Sequence, residues 1–209
     1  MVIEAAVETA DEARFALAQG ATRLEVCDFS VEGGRTPLLT RVREIRNTIP
    51  APIHVMIRPR GGDFVYAEPE IRLMEQQIDE ARAAGAAGVV VGTLLRDRRI
   101  DRIAAARLLR RSRPMEVVFH RAIDVTPDPL DTLEALLTLA FDRVLTSGGA
   151  ATALAGAETI RRMVRLAGNS LAVIAGGSVR GRNVRQLVEL TGVREVHARD
   201  VTGIREAMN

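Results

Sequence analysis

Short apolar runs alternate along the whole chain with longer segments of helical periodicity. The runs are rich in β-branched residues and only four to six positions long, which is typical of buried strands. Glycine, proline or charged residues follow most of them directly. The pattern predicts eight strands, at residues 2–7, 23–27, 53–57, 88–91, 116–120, 143–146, 171–175 and 194–198.

The segments between these strands carry apolar residues at helical spacing and end in helix-breaking residues. Thr36, with Pro37 in the first helical position, predicts the N-terminus of the second helix, and Asp101 predicts that of the fourth. The apolar side of the fourth helix is expected to include Ile103 and Leu108. Helices are predicted at about residues 9–20, 36–47, 68–84, 101–112, 128–139, a segment ending near 167, 181–190 and 201–208.

Strict alternation of short buried strands with helices predicts a parallel sheet with right-handed crossovers. Eight such units close a TIM-type (β/α)₈ barrel, here as a single domain over residues 1–209 with a shortened final unit. A doubly wound open sheet is the alternative, but its central strands need apolar side chains on both faces. Several strands here are polar on one face, which favours the barrel.

Polar side chains recur on one face of these strands. Side chains alternate along a strand, and the outer face of a barrel lies beneath helices, so the polar positions are predicted to face the interior. These positions are Glu4, Glu25, Cys27, His54, Arg58, His120, Glu195 and His197. Buried charges are costly unless paired, so the interior requires an ion-pair network, a ligand, or both. Glu4 and His54 lie early in their strands and suit a stabilising role near the floor.

The third strand ends abruptly in the segment 58–63, Arg-Pro-Arg-Gly-Gly-Asp. Its proline stiffens the turn, and its glycines permit positive φ. In parallel α/β folds, ligands bind at the carboxyl ends of the strands. We therefore predict that Arg58, Arg60 and Asp63 contact a ligand at this barrel mouth, and the two guanidinium groups favour a small anion.

Three later strand exits add polar or glycine-rich turns. Successive backbone N–H groups in the turns 147–149 and 175–178 can bind an anion, such as a phosphate group, near a helix N-terminus. An ordinary tight turn is the alternative at both places. These exits supply the remaining predicted ligand contacts: Arg121, Thr146, Ser147, Gly176 and Gly177.

Proton transfer is the chemistry that these positions suit best. His120, at the exit of the fifth strand, is the predicted acid–base group, with Glu25 or Asp124 as its partner. A triad of Ser147, His120 and Asp124 is disfavoured because the chain has no GxSxG nucleophile elbow. Whether the protein is an enzyme stays open at this level.

The charge balance argues against a nucleic-acid partner. The formal net charge is only +2, and the sequence pI of about 9.4 reflects the exclusive use of arginine as the basic residue. Aromatic residues make up 3% of the chain, too few for a base-stacking surface. No apolar run approaches the ~20 residues of a membrane helix, and the first residues lack a signal-peptide pattern. A single cysteine, Cys27, is expected in the reducing cytoplasm.

A metal site has no local sequence motif here. The chain lacks CxxC, HxxxH and HExxH spacings. A site assembled across strands is still open, and its candidate ligands are Cys27, His120 and His197. A copper(I) ion prefers thiolate and thioether ligands, so a single cysteine offers little.

Several segments resemble the signature segments of the CutC family. They are 33–37 (GGRTP), 55–64 (VMIRPRGGDF), 119–124 (FHRAID), 143–148 (RVLTSG) and 196–197 (VH). The resemblance implies a TIM-type barrel, a cytoplasmic location, homo-oligomers (a homodimer or larger) and a role in copper homeostasis. Two departures are visible: Ala5 and Ala6 stand where many members carry cysteine, and the segment 198–209 is short for a last unit. The short last unit predicts an open rim near the eighth strand and an uncovered apolar face as a subunit interface.

Two functional hypotheses follow. In the first, the protein handles copper and binds it through Cys27 with help from methionine or histidine. In the second, it is a barrel enzyme or binder that acts on a small anionic metabolite, phosphorylated compounds included. Arginine and glycine positions would then hold the anion, and His120 with Glu25 or Asp124 would move a proton.

Overall fold

A computed structural model describes all residues from 1 to 209. Its eight strands pair in parallel and in sequence order, and the last pairs with the first to close a barrel. The strands are β1 (Val2–Val7), β2 (Arg23–Val26), β3 (Ile53–Met56), β4 (Gly88–Val91), β5 (Glu116–Phe119), β6 (Arg143–Thr146), β7 (Ala172–Gly176) and β8 (Glu195–Ala198).

A helix follows each strand, and a short 3₁₀ turn at Arg121–Val125 precedes the fifth. The helices are α1 (Ala10–Ala18), α2 (Leu39–Thr48), α3 (Glu68–Ala83), α4 (Arg102–Ser112), α5 (Pro129–Leu139), α6 (Ala157–Ala167), α7 (Gly181–Thr191) and α8 (Ile204–Met208). The predicted (β/α)₈ barrel with a short final helix is therefore confirmed. None of these helices has the length and apolar character needed to cross a membrane.

The start of α2 differs from the prediction. The helix begins at Leu39, and no side chain caps it. Thr36 was expected as the cap, but its hydroxyl accepts a hydrogen bond from the backbone N–H of Arg58 at 2.8 Å and donates one to Gln77 at 2.9 Å. The predicted cap was wrong because the hydroxyl of Thr36 instead links the loop after β3 to α3. Asp101 does cap α4, as predicted, through the N–H groups of Ile103 and Ala104.

The buried face of α4 also differs in part. Ile103 is 85% exposed, so it was wrongly placed on the apolar side. The helix packs through Ala104, Ala105, Leu108 and Leu109 instead. Successive helical residues are rotated by about 100°, so Ile103 points away from the face that these four residues bury.

The predicted alternation along the strands is confirmed. Outward-facing residues such as Val55 and Val117 join the large hydrophobic core between strands and helices. Inward-facing apolar residues form a separate small cluster inside the barrel: Cys27, Met56, Val90, Val118, Leu145 and Ile174. We call the interior at the amino ends of the strands the floor and the interior at their carboxyl ends the mouth.

The floor contains the ion-pair network that the buried charges required. Arg23 donates to Glu4 and, at 2.6 Å, to Glu195. Arg143 pairs with Glu195 at 3.2 Å and with Glu116 at 2.7 Å. Every one of these charges has an oppositely charged partner, so the floor holds buried charge without needing a ligand.

Candidate functional site

A cavity of about 560 Å³ opens at the carboxyl ends of the strands. That volume lies in the range of small-molecule sites. Glu25, His120 and His197 line its inner part. Four arginines from four different strand exits line it as well: Arg58, Arg121, Arg180 and Arg199. The cavity thus combines titratable groups at depth with a cationic wall.

Arg58 ties together the two loops that follow β2 and β3. It is only 4% exposed, and its guanidinium donates to the carbonyl oxygens of Glu32, Gly34 and Gly62, each at 2.8 Å. It also lies over the ring of Phe64, 4.9 Å from the centroid. Its Nε has no protein partner. The structure therefore gives Arg58 a loop-fastening role, and its contact with a ligand stays a prediction.

Arg60 and Asp63 lie outside the cavity. Arg60 pairs with Asp63 at 3.0 Å and with Glu70 at 2.6 Å. Its guanidinium also lies over the ring of Tyr66. Arg60 and Asp63 were predicted to contact a ligand, but neither side chain lines the cavity. Their ion pairs hold the β3–α3 loop against α3 instead.

Asp124 organises the exit of β6. Its carboxylate accepts hydrogen bonds from the hydroxyl of Thr146 at 2.6 Å, from the N–H and hydroxyl of Ser147, from the N–H of Gly149, and from Arg121 at 2.8 Å. Both carboxylate oxygens are therefore occupied by donors of the protein. Asp124 therefore positions this turn, and the predicted contacts Arg121, Thr146 and Ser147 are its partners.

His120 is a neutral hydrogen-bond donor. Its Nδ1 accepts from the backbone N–H of Ala122 at 3.1 Å, so the neutral ring carries its proton on Nε2. Burial and the nearby Arg58 lower the pKa of His120 to about 3. Nε2 has no protein partner, although the side chain lines the cavity. His120 can therefore donate to a ligand, but it is a weak base.

His197 has the geometry of an acid–base residue. Its Nδ1 lies 2.8 Å from Oε1 of Glu4, across the seam between β8 and β1. Burial lowers the pKa of His197, but the carboxyls of Glu25 and Glu4 outweigh burial and raise it overall. Although burial favours the neutral carboxyl of Glu4, the bond from His197 and the charge of Arg23 hold its pKa well below the usual range. Glu4 therefore orients a readily protonated imidazole that faces the cavity.

Glu25 lies beside this pair. Its Oε2 is 4.0 Å from Nδ1 of His197 and has no hydrogen-bond partner, while its Oε1 accepts from the thiol of Cys27 at 3.0 Å. Burial is the main cause that raises the pKa of Glu25. Burial and Glu25 also raise the pKa of Cys27 well above its usual range, so the thiol keeps its proton. Cys27 is 1% exposed and does not line the cavity.

One group of side chains could hold a metal ion. The ligand atoms of Glu4, Glu25 and His197 all lie within 4.8 Å of one another. Two carboxylates and an imidazole suit a divalent ion such as Cu²⁺ or Zn²⁺ better than Cu⁺, which prefers sulfur. Of the predicted ligands, only His197 belongs to this group, whereas Cys27 and His120 do not.

The turn after β7 contributes Gly177 to the cavity, whereas Gly176 is the last residue of the strand and does not line it. Arg180 and Arg199 were not predicted, although each follows a strand exit closely. Arg199 lies over the ring of Phe29, 4.2 Å from its centroid. The position of Arg180 and Arg199 shortly after a strand was the sequence signal that could have identified them. The direction in which a loop side chain points depends on the fold, so this signal did not distinguish them from other loop residues.

The chain has no lysine, so it cannot form a Schiff base between a lysine and a substrate. The acid–base groups of the cavity are carboxyls and imidazoles alone. Proton transfer is therefore the chemistry that these side chains can perform without an added cofactor.

The sequence of this chain was compared with those of known protein families. Residues 1–202 match the CutC family. The chain belongs to the CutC family. The human relative named copper homeostasis protein cutC homolog is 40% identical over 196 residues, which are 94% of this chain and 72% of that protein. A Porphyromonas gingivalis CutC family protein is 40% identical over 198 residues, which are 95% of this chain and 80% of that protein.

The crystal structure of the CutC protein of Streptococcus agalactiae superimposes with a TM-score of 0.91 at 30% identity, covering 97% of this chain and all of that one. Membership of the CutC family and its barrel fold are thus consistent at the levels of sequence and structure.

Proposed function

We propose that the protein binds a small anionic ligand at the barrel mouth and transfers a proton to or from it through His197. The observation that carries this proposal is the Glu4–His197 pair, 2.8 Å apart, whose imidazole lines a cavity with a cationic wall. Such a pair, in which a buried carboxylate orients an imidazole, is a recurring arrangement for acid–base catalysis.

The ligand is anionic because the cavity wall is rich in arginine. Arg180 and Arg199 have no carboxylate within 4.0 Å, and Arg58 and Arg121 add positive charge even though their hydrogen bonds are directed to the protein. A ligand anion would be attracted to this wall and would bring its other end to His197 and Glu25.

Protonated His197 would act as the acid and the neutral ring as the base. Glu4 keeps Nδ1 occupied, so Nε2 is the atom that exchanges the proton with a ligand. The pKa of Glu25 is raised, so its carboxyl holds a proton more firmly than that of an exposed glutamate. Glu25 therefore supplies a second group, beside His197, that can exchange a proton with the ligand.

A thermal-shift screen of small carboxylates, phosphates and uncharged analogues tests binding first. Compounds that stabilise the protein are then incubated with it in D₂O and followed by proton NMR. We expect at least one anion to bind and to undergo deuterium exchange or conversion. His197→Gln should abolish this change while the compound still binds. If no anionic compound stabilises the wild-type protein, the proposal fails.

A copper ion is the second candidate. The human relative is named a copper homeostasis protein, and Glu4, Glu25 and His197 bring three ligand atoms within 4.8 Å. Cys27, His120 and His197 are the alternative ligand set from the sequence. Separate titrations with Cu⁺ and Cu²⁺ distinguish the two sets: loss of Cu²⁺ binding in His197→Gln supports the first, and loss of Cu⁺ binding in Cys27→Ser supports the second. Unchanged binding of both ions in both variants contradicts this candidate.

The same proposal includes a cytoplasmic single-domain protein that forms homo-oligomers. One closed barrel contains every strand, and apolar side chains such as Phe15 and Leu190 are about half exposed. A contiguous patch of exposed apolar residues is typical of a subunit interface. Light scattering coupled to size exclusion should give a mass of at least two chains; a mass of 22.7 kDa contradicts the oligomer.

A further inference from the structure

We infer that the anionic group of the ligand is a phosphate monoester, held by the turn after β7 together with Arg180 and Arg199. This inference rests on the proposed function, because it names the chemical class of the ligand for the same cavity. Its basis is the set of hydrogen-bond donors that point to no acceptor of the protein.

Of the four arginines that line the cavity, Arg58 and Arg121 each donate to two or more groups of the protein, whereas the other two do not. Arg180 donates only to the carbonyl oxygen of the neighbouring Val179, at 2.7 Å. Arg199 contacts the ring of Phe29 and makes no ion pair. By contrast, Arg107 on α4 holds Glu68 and Glu75 together. Both free arginines line the cavity, so both can turn donors towards its contents.

The backbone supplies further donors at the same place. The N–H groups of Gly177, Ser178 and Val179 donate to no acceptor in the protein, whereas the N–H of Arg180 is bonded to the side chain of Asn183. Gly177 and Ser178 have φ of +106° and +57°, so the chain bends sharply before α7. Three unpaired amides in sequence, just before an 11-residue helix, form an arrangement that binds phosphate oxygens.

Buried side chains in the same cavity point independently to a ligand. His120 and Glu25 are 4% and 2% exposed, and each has one polar atom without a partner, Nε2 and Oε2 respectively. Unpaired polar atoms at this depth are costly unless a ligand or water meets them. A hydroxyl group at the far end of the ligand can accept from Nε2 of His120 and donate to Oε2 of Glu25.

The charge of the site fits a dianion. Asp124 is paired with Arg121, and the other acids near the mouth are Glu25, Glu32 and Asp200. Asp200 lies close enough for the charge of Arg180 to contribute to its lowered pKa, after the hydrogen bonds from Thr202. The guanidinium groups of Arg180 and Arg199 and the three backbone N–H groups offer more hydrogen-bond donors than the two oxygens of a carboxylate can accept. A phosphate monoester has three terminal oxygens, so it can accept from more of these donors.

The test is isothermal titration of the wild-type protein with glycerol 3-phosphate and inorganic phosphate, and with glycerol and acetate as matched probes. We expect the two phosphates to bind at least tenfold more tightly than acetate and glycerol not to bind. Arg180→Ala and Arg199→Ala should each weaken phosphate binding by about tenfold or more. Arg194→Ala, at the opposite end of the barrel, is the control and should bind as the wild type does. Circular dichroism confirms that each variant is folded.

Two results overturn the inference, and they differ in their consequence. If acetate binds as tightly as the phosphates, or if both arginine variants keep full phosphate affinity, the phosphate assignment is wrong, but an anion site remains. If none of the anions binds, the proposed function fails together with it.

Discussion

The floor and the mouth of this barrel use the same residue types in opposite ways. On the floor, Arg23 and Arg143 are enclosed by Glu4, Glu116 and Glu195, and each charge has a partner. At the mouth, three of the four arginines have no acidic partner, and three buried side chains have unpaired polar atoms. Paired charge stabilises a fold, whereas unpaired donors of this kind indicate a binding site. The comparison can be tested by removing one group at a time.

The largest effect is expected on the floor. Arg23→Ala leaves Glu4 and Glu195 buried without their shared partner, which should cost about 3–5 kcal/mol of the free energy of unfolding. Urea denaturation measures this change. Arg161→Ala is the matched control, because Arg161 pairs with Glu158 on an exposed helix surface and its loss should lower the free energy of unfolding far less. Equal losses in the two variants contradict the distinction between buried and exposed pairs.

Arg58 should behave as a floor residue although it lies at the mouth. Arg58→Ala removes hydrogen bonds to three carbonyl oxygens and is expected to cost about 2–3 kcal/mol. Urea denaturation again gives the value, and limited proteolysis should show earlier cleavage near residues 32–34 and 62. A variant as stable as the wild type, and weakened only in ligand binding, would instead make Arg58 a direct ligand contact.

The two histidines of the mouth should respond to pH with opposite signs. The folded pKa of His120 is lowered from 6.5 to about 3, so its stabilising effect is present above pH 6.5 and decreases as the pH falls towards 3. The folded pKa of His197 is raised, so its contribution is complete below the unfolded pKa and is lost as the pH rises through the folded one.

Stability measured against pH checks these signs. His120→Asn should lose less stability than the wild type between pH 6.5 and 3, and His197→Gln should flatten the curve on the alkaline side. The other carboxyls titrate in all of the proteins, so only differences between curves are interpreted. Curves of identical shape for the wild type and His120→Asn would show that His120 is not buried in its neutral form.

The smallest effect is expected at the free arginines. Arg180→Ala breaks no bond except the one to Val179, so the free energy of unfolding should change by no more than about 0.5 kcal/mol. Thermal denaturation without added anions measures it. A loss comparable to that of Arg23→Ala would place Arg180 in the stabilising network and remove the contrast between the two ends.

The sequence was sufficient for the barrel because the signals there are local and repeated. The bounds of β4 and β6 were predicted correctly, and the alternation of Val55 and Met56 between the faces of β3 follows from the two-residue period of a strand. The start of α2 was predicted wrongly because Thr36 is engaged with Arg58 and Gln77, which are distant in sequence.

The site was less accessible to sequence reasoning. The residues near the mouth could be chosen from strand exits, but their hydrogen-bond partners could not. His120 and His197 look alike in sequence, yet the first is held neutral and the second pairs with Glu4. That pairing depends on the closure of the barrel, so no local pattern could distinguish the two histidines.

The position of this pair at the seam has a consequence for how the protein acquires activity. Glu4 and His197 are separated by 193 positions and stand on the first and last strands. A nascent chain therefore completes the acid–base pair only when its final strand has left the ribosome and docked against its first. A chain truncated before β8 would therefore lack any chemistry that depends on His197, even if its other strands had formed.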